Sequence, residues 1–216
     1  SLKDIRDAEA IENTLSNILN KAGFERVNVP GDGDCFLHSI NELLKQQDVK
    51  TEEPDVLRTN LINILIKYKD TPLDDDTKGE VNTIEKHPKI MIENGDVKIL
   101  AWNKYIENMS KPGEYCDEFM IMAASIKYER PIYIYSSIKG VGQKPIKIEP
   151  PKKWKIDIDE GNPLVLGHYH ENHYIATKKL DESIATGGGG NPEVETVFYH
   201  NLPSNIKHLH DFILNE

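Results

Sequence analysis

The chain has 216 residues, of which 38% are hydrophobic and 29% are charged. These proportions are typical of a soluble globular protein, and the apolar runs are too short to span a bilayer. The formal net charge of −10 argues against nucleic acid as a partner, because an acidic surface repels a phosphate backbone. Two cysteines are too few for a disulfide framework in a chain of this length, which indicates a reducing compartment.

The first part of the chain predicts helices. Its charged, amphipathic start is not typical of a secretory signal, and the absence of a first methionine is typical of an excised domain. Apolar residues then recur at three- and four-residue spacing, which is the period of a helix with one buried face. The predicted helices are residues 7–21, a helix that starts at residue 35, and residues 54–68, 96–109 and 118–127.

The second part predicts strands. The runs RPIYIYSS, PIKIEP, PLVLGHYH and HYIATKK are rich in β-branched and aromatic residues. Because helices come first and hairpin-like strands last, the expected fold class is α+β with a mostly antiparallel sheet. We expect one domain over residues 1–180, a flexible Gly-rich linker over 181–193, and an accessory C-terminal segment with a helix over 194–216.

Cys35 follows the turn Gly31-Asp32-Gly33-Asp34 and begins a predicted helix. The free N–H groups and the dipole at a helix N-terminus favour the thiolate, which is the nucleophilic form of cysteine. Glycines let the backbone approach a ligand closely, and N–H groups around Gly33 and Cys35 are candidates for an oxyanion hole. Asp34 acts in the opposite direction, because an adjacent carboxylate raises a thiol pKa. From this turn alone, a nucleophile and a buried structural cysteine both remain open.

Three histidines near the end of the chain are candidate bases for such a thiol, namely His168, His170 and His173. No CxxC or HExxH motif accompanies them, so we expect no metal site. His168 and His170, like His38 and His87, are more typical of surface or supporting positions. His173 differs because it opens a predicted strand after a turn, where a rigid element presents its side chain at the edge of a cleft.

Three sequence blocks together resemble the ovarian tumour (OTU) family of cysteine proteases, which are deubiquitinases with a papain-like core. The blocks are DGDCFLHS at 32–39, YIENMSKPGEYC at 105–116 with PIYIY at 131–135, and ENHY at 171–174. They occur in the order of the family and cover most of residues 29–178. The Gly-rich linker and the segment after it lie outside the resemblance.

The resemblance implies a deubiquitinase with no cofactor and no metal, whose partner is ubiquitin or a polyubiquitin chain. It implies that Cys35 attacks the carbonyl of ubiquitin's C-terminal glycine and that His173 takes the thiol proton. Asp32 is expected to brace the turn. The residues expected around the oxyanion and the substrate channel are Gly33, Asp34, Asn172 and Gly113. We expect a cytoplasmic location, which would be a host cytoplasm if the chain is an effector of a pathogen or symbiont.

The sequence departs from the family pattern at the residue that orients the catalytic histidine. Ile175 stands where family members usually carry Asn or Asp. Asp32 is the first candidate for this orienting role, and Asn172 and His170 are weaker ones. Two alternatives therefore stay open: a catalytically weak ubiquitin-binding module, and a protease for a ubiquitin-like modifier or a viral polyprotein.

Two other positions also depart from the family. Asp34 replaces Asn or Ser, and Tyr115-Cys116 replaces Trp-Gly. Cys116 has acidic neighbours and no base in view, so we expect it to be non-catalytic.

Overall fold

The structure is a computed structural model that describes residues 2–74, 81–87, 89–94, 96–138, 144–170, 173–181 and 195–196. The helices are α1 (Leu2–Lys21), α2 (Cys35–Lys45), α3 (Pro54–Tyr68), α4 (Trp102–Met109) and α5 (Glu118–Tyr128). The strands are β1 (Phe24–Val27), β2 (Lys89–Glu93), β3 (Asp96–Leu100), β4 (Ile132–Ser136), β5 (Ile146–Ile148), β6 (Leu164–Tyr169), β7 (His173–Lys179) and β8 (Glu195–Thr196). Within these ranges, no helix combines the length and the apolar character needed to cross a membrane.

The central sheet has the strand order β1-β7-β6-β4-β5-β8. The pairs β1/β7, β6/β7 and β4/β5 are antiparallel, whereas β4/β6 and β5/β8 are parallel. The α+β class is confirmed, and the sheet is mixed with antiparallel pairs in the majority. The hairpin of β6 and β7 places Tyr169 opposite His173.

Helices cover both faces of this sheet. On one face α1 packs through Leu15 and Leu19 against a cluster that includes Ile175. On the other face α2 and α5 enclose the main core, to which Phe36 and Tyr174 belong. Successive side chains of a strand point to opposite faces, so neighbouring residues of β7 serve different layers. The rings of Phe36 and Tyr174 meet edge to face at 5.7 Å, and this contact fixes α2 on the start of β7.

The prediction of a helix over residues 96–109 is wrong in its first five residues. Asp96–Leu100 forms a strand that pairs with β2 in a separate two-stranded hairpin, and the helix begins only at Trp102. The reason is tertiary: the amine of Lys89 is buried, donates to the carbonyl of His87 at 2.6 Å, and lies 4.7–5.8 Å from the centroids of three aromatic rings on α4 and α5. These contacts attach the hairpin to the two helices.

The C-terminal predictions fall largely outside the described residues. This applies to the linker over 181–193, except for Asp181, and to the helix predicted within 194–216. The described part of that segment is β8, which pairs with β5.

Candidate active site

Cys35 is the first residue of α2 and is 1% exposed. Its N–H donates to the carbonyl oxygen of Asp32 at 3.1 Å, and its Sγ accepts a hydrogen bond from the N–H of Tyr174 at 3.4 Å. Burial raises the pKa of the Cys35 thiol, the charge of Asp32 adds to this, and the N–H groups of Tyr174 and Phe36 act against it. Since the pKa lies above its ordinary value, the thiol needs a base to form the nucleophile.

His173 is the first residue of β7 and precedes the amide that holds the Cys35 sulfur. A Cβ built on Gly31 would lie 3.2 Å from Cε1 of His173, so the imidazole lies beside the turn that leads to Cys35. The ring of Tyr169 meets the imidazole edge to face, with 4.6 Å between centroids. The structure therefore brings the two residues predicted as nucleophile and base to one turn.

Asp32 makes its contacts within the turn and with α2. Its Oδ1 accepts from the N–H of Asp34 at 3.0 Å, and Nε2 of His38 lies 3.3 Å from the same oxygen. The Asp32 side chain is 55% exposed and that of His38 is 26% exposed. These contacts support a bracing role for Asp32, whereas its orienting role toward His173 stays a prediction. The sequence interpretation gave His38 no such partner.

The carboxylate of Asp34 accepts hydrogen bonds from two donors. Its Oδ1 accepts from Nη2 of Arg58 at 2.6 Å and from the N–H of Gly113 at 3.1 Å. Burial raises the pKa of the Asp34 carboxyl, but the hydrogen bonds from Arg58 and Gly113 outweigh this, and the net pKa lies below the ordinary value of 3.8. The carboxylate is therefore ionised at neutral pH, and its charge is balanced by Arg58. Among the groups that raise the pKa of Cys35, the charged one is Asp32.

Gly33 and Gly113 bring the first and second sequence blocks into direct backbone contact. A Cβ on Gly33 would lie 1.5 Å from the carbonyl oxygen of Gly113, so no larger residue fits at position 33 without moving one of the two turns. Gly113 itself has φ +78°, a left-handed conformation that glycine adopts without strain. Gly33 and Gly113, two of the four residues expected around the oxyanion and the substrate channel, therefore contact each other.

Arg58 is a site residue that the sequence interpretation missed. It is 1% exposed on α3, and besides Asp34 it donates to the carbonyl of Met109 at 2.9 Å and to that of Glu114 at 2.7 Å. A charged residue on the apolar face of α3, next to Leu57, was the available signal. One guanidinium therefore joins α3 to the first and the second sequence block.

A tyrosine of the second block is hydrogen-bonded to the residue that caps α5. The hydroxyl of Tyr105 donates to Oδ2 of Asp117 at 2.6 Å, and Oδ1 of Asp117 accepts from the N–H of Met120 as the N-cap of α5. Cys116 directly precedes Asp117 in the chain, belongs to the core and is 3% exposed. Burial raises the pKa of the Cys116 thiol to about 12, so this thiol is neutral.

The remaining predicted positions divide between the core and the part of the chain that is not described. Asn172 lies outside the described residues. Ile175 is fully buried, and His168 is buried with Nδ1 3.0 Å from Oγ of Ser136. Within the described ranges, no group of three or more His, Cys, Asp or Glu residues is placed to hold a metal ion.

A thiol at a helix N-terminus, with a strand-borne histidine beside the turn that leads to it, is typical of cysteine hydrolases. The family model of the OTU-like cysteine proteases matches residues 30–174. The chain belongs to the OTU-like cysteine protease family. A comparison with curated protein sequences gave no match.

The chain is also similar to solved structures of OTU domains. The OTU domain of OTUD1 is 12% identical, with a TM-score of 0.53 and coverage of 79% of this chain and 95% of that chain. An OTU deubiquitinase from Wolbachia pipientis wMel, bound to ubiquitin, is 14% identical, with a TM-score of 0.46 and coverage of 73% and 97%. A viral OTU domain protease from Taggert virus is 20% identical, with a TM-score of 0.43 and coverage of 72% and 80%. The likeness to the OTU domain of OTUD1 and the family match confirm the papain-like OTU core.

Proposed function

We propose that this protein is a deubiquitinase that hydrolyses the peptide or isopeptide bond after the C-terminal glycine of ubiquitin. The observation that supports the proposal is the hydrogen bond from Tyr174 N–H to Cys35 Sγ, which joins the start of β7, next to His173, to the thiol of an OTU-like cysteine protease. The sequence resemblance supplies ubiquitin as the partner, and the acidic chain suits a basic partner surface.

In the proposed reaction, His173 takes the proton of Cys35, and the thiolate attacks the glycine carbonyl carbon. The tetrahedral intermediate collapses to a thioester, and the protonated imidazole gives its proton to the leaving amine. Water then attacks the thioester, with His173 as the base, and releases the free carboxylate of ubiquitin. Cys35 is regenerated as the thiol, so no cofactor enters the cycle.

The oxyanion of the intermediate is assigned to the backbone of Gly33 and Asp34. The N–H of Asp34 donates to the Asp32 side chain, and this hydrogen bond holds the turn in the shape that presents the backbone of Gly33 to the substrate. Gly113 and Asn172 are proposed to line the channel for the ubiquitin tail. The proposed catalytic domain is residues 1–180, and the proposed compartment is the reducing cytoplasm, which keeps both free thiols reduced.

The test uses ubiquitin that carries a thiol-reactive electrophile at its C-terminus. We expect the wild type and Cys116→Ala to form a covalent adduct, seen as a mass increase, and Cys35→Ala to form none. His173→Ala should form the adduct far more slowly, and both site variants should fail to cleave ubiquitin chains while they remain folded.

Other outcomes identify the alternatives. Tight ubiquitin binding without an adduct would indicate a ubiquitin-binding module, for which the apolar Ile175 is the supporting observation. An adduct formed only with a probe built on a ubiquitin-like modifier would change the substrate. Cleavage of chains by Cys35→Ala at the wild-type rate would overturn the proposal.

A further inference from the structure

The imidazole of His173 has two neighbours of defined geometry. The ring of Tyr169, the residue opposite His173 in the β6/β7 register, meets the imidazole with 4.6 Å between centroids and 72° between planes. The backbone of Gly31 is so close that a Cβ there would lie 3.2 Å from Cε1 and 3.6 Å from Nδ1 of His173. An edge-to-face aromatic contact is directional, so the two neighbours together restrict rotation of the imidazole.

Tyr169 is itself held in place. It is 9% exposed and packs in the cluster between α1 and the sheet, together with Leu19 and Ile175. The guanidinium carbon of Arg26 on β1 lies 5.4 Å from the Tyr169 ring centroid, and Nε of Arg26 donates to Oδ1 of Asn28 at 3.0 Å. The ring therefore presents a fixed surface to His173.

We propose that Tyr169 is a positioning residue that holds the imidazole of His173 toward Cys35. In the family pattern, a polar side chain two residues after the histidine performs this orientation. Here that position is Ile175, whose apolar side chain packs against Gly167 and α1 and helps to hold Tyr169 instead. The inference deepens the proposed function and rests on it for the role of His173 as the base.

The test compares Tyr169→Leu with Tyr169→Phe, which keeps the ring, and with Tyr133→Leu as a matched control. Tyr133 lies in the same cluster on β4 and is 8% exposed, so its replacement removes a similar ring from the same core. The first readout is the rate at which iodoacetamide alkylates Cys35 as a function of pH, which needs no ubiquitin. The second is kcat and KM for a ubiquitin conjugate with a fluorescent leaving group.

Tyr169→Leu is expected to lower both Cys35 alkylation at neutral pH and kcat by roughly tenfold, with KM unchanged, because an aromatic pair contributes at most about one such factor. Its alkylation profile should shift to higher pH, since a misplaced imidazole no longer stabilises the thiolate. Tyr169→Phe should stay within about twofold of the wild type, and so should Tyr133→Leu. If Tyr169→Leu does not fold, Arg26→Gln tests the same contact and should give the same changes to a smaller extent.

A Tyr169→Leu protein with the wild-type alkylation profile would overturn the proposal, as would equal changes in Tyr133→Leu. For a Tyr169→Leu protein that does not fold, a wild-type profile of Arg26→Gln would do the same. If the wild type does not hydrolyse ubiquitin although its alkylation profile depends on Tyr169, then the proposed function fails and the positioning role stands.

Discussion

Asp34 and Arg58 form an ion pair in which 2.6 Å separate Oδ1 from Nη2, and this pair joins the turn before Cys35 to α3. The adjacent carboxylate was expected to oppose the thiolate. In the structure its charge is balanced by the guanidinium, and it holds the N–H of Gly113 as well. Asp34 therefore acts as a structural connection between two turns of the site.

Arg58→Met should strongly destabilise the protein. Arg58 is buried, whereas the Asp34 side chain is 18% exposed. Removal of the guanidinium leaves this carboxylate without its counter-charge and the carbonyls of Met109 and Glu114 without its N–H donors, so we expect the free energy of unfolding to fall by about 3–5 kcal/mol. Arg58→Lys is the matched control. It keeps the charge but cannot reach three acceptors, so its loss should be smaller. Urea unfolding followed by circular dichroism measures both, and a loss for Arg58→Met below about 1 kcal/mol would contradict this role of the pair.

Gly33→Ala should inactivate the protein. The new methyl group would occupy the place of the Gly113 carbonyl, so the turn before Cys35 must move. Gly161→Ala is the matched control, because a Cβ there makes only an ordinary contact with Asp159 at 3.5 Å. We expect adduct formation with the ubiquitin probe to fall at least about 100-fold for Gly33→Ala, since small displacements of a reacting group have effects of this size. Equal rates for the two variants would refute the steric argument.

The pH dependence of stability should report the Asp34 pair. The folded-state pKa of Asp34 is depressed below its ordinary value of 3.8, so the unfolded chain binds more protons in the acid range. The contribution of Asp34 is therefore present above about pH 4 and is lost as the pH falls through the folded-state pKa. The stability difference between wild type and Asp34→Asn, measured by urea unfolding at several pH values, should shrink in acid. A difference that is independent of pH would contradict this.

Asp32 should have separable effects through its charge and through its hydrogen bond. Asp32→Asn keeps an oxygen that accepts from the N–H of Asp34 but removes the charge that contributes to the raised Cys35 pKa. Because Asp32 is largely exposed, we expect a modest gain of about two- to threefold in Cys35 alkylation at neutral pH.

Asp32→Ala also loses the acceptor, and it should lower ubiquitin cleavage more than Asn172→Ala does. Steady-state rates of ubiquitin cleavage check the order of Asp32→Ala and Asn172→Ala, and the rate of iodoacetamide alkylation checks Asp32→Asn. The reverse order of Asp32→Ala and Asn172→Ala would move the orienting role to Asn172.

Cys116 should be inert under native conditions. Both cysteines are buried, but burial raises the pKa of the Cys116 thiol to about 12, whereas the proposed base His173 activates Cys35. Mass spectrometry after brief treatment with iodoacetamide should therefore find the label on Cys35 and not on Cys116 until the protein is unfolded. Labelling of Cys116 at the rate of Cys35 in the folded protein would show that the core near α5 opens readily.

The sequence predicted the elements whose local signals agreed with their tertiary setting. Cys35 begins α2 and His173 begins β7, as the Gly/Asp turn and the β-branched run indicated. The strand at 96–100 could not be predicted, because its apolar spacing also fits a helix and its pairing depends on contacts made by Lys89. The role of Arg58 was hidden for a related reason, since all three of its acceptors lie on other elements of the chain.

The bond from Tyr174 N–H to the Cys35 sulfur joins residues that are 139 positions apart. The two segments must meet across a long loop, so the site cannot form before residue 174 has been synthesised. During synthesis, Cys35 leaves the ribosome long before the strand that carries its base. An incomplete chain thus holds a cysteine without its histidine, and proteolytic competence arises only when the two ends of the domain have met.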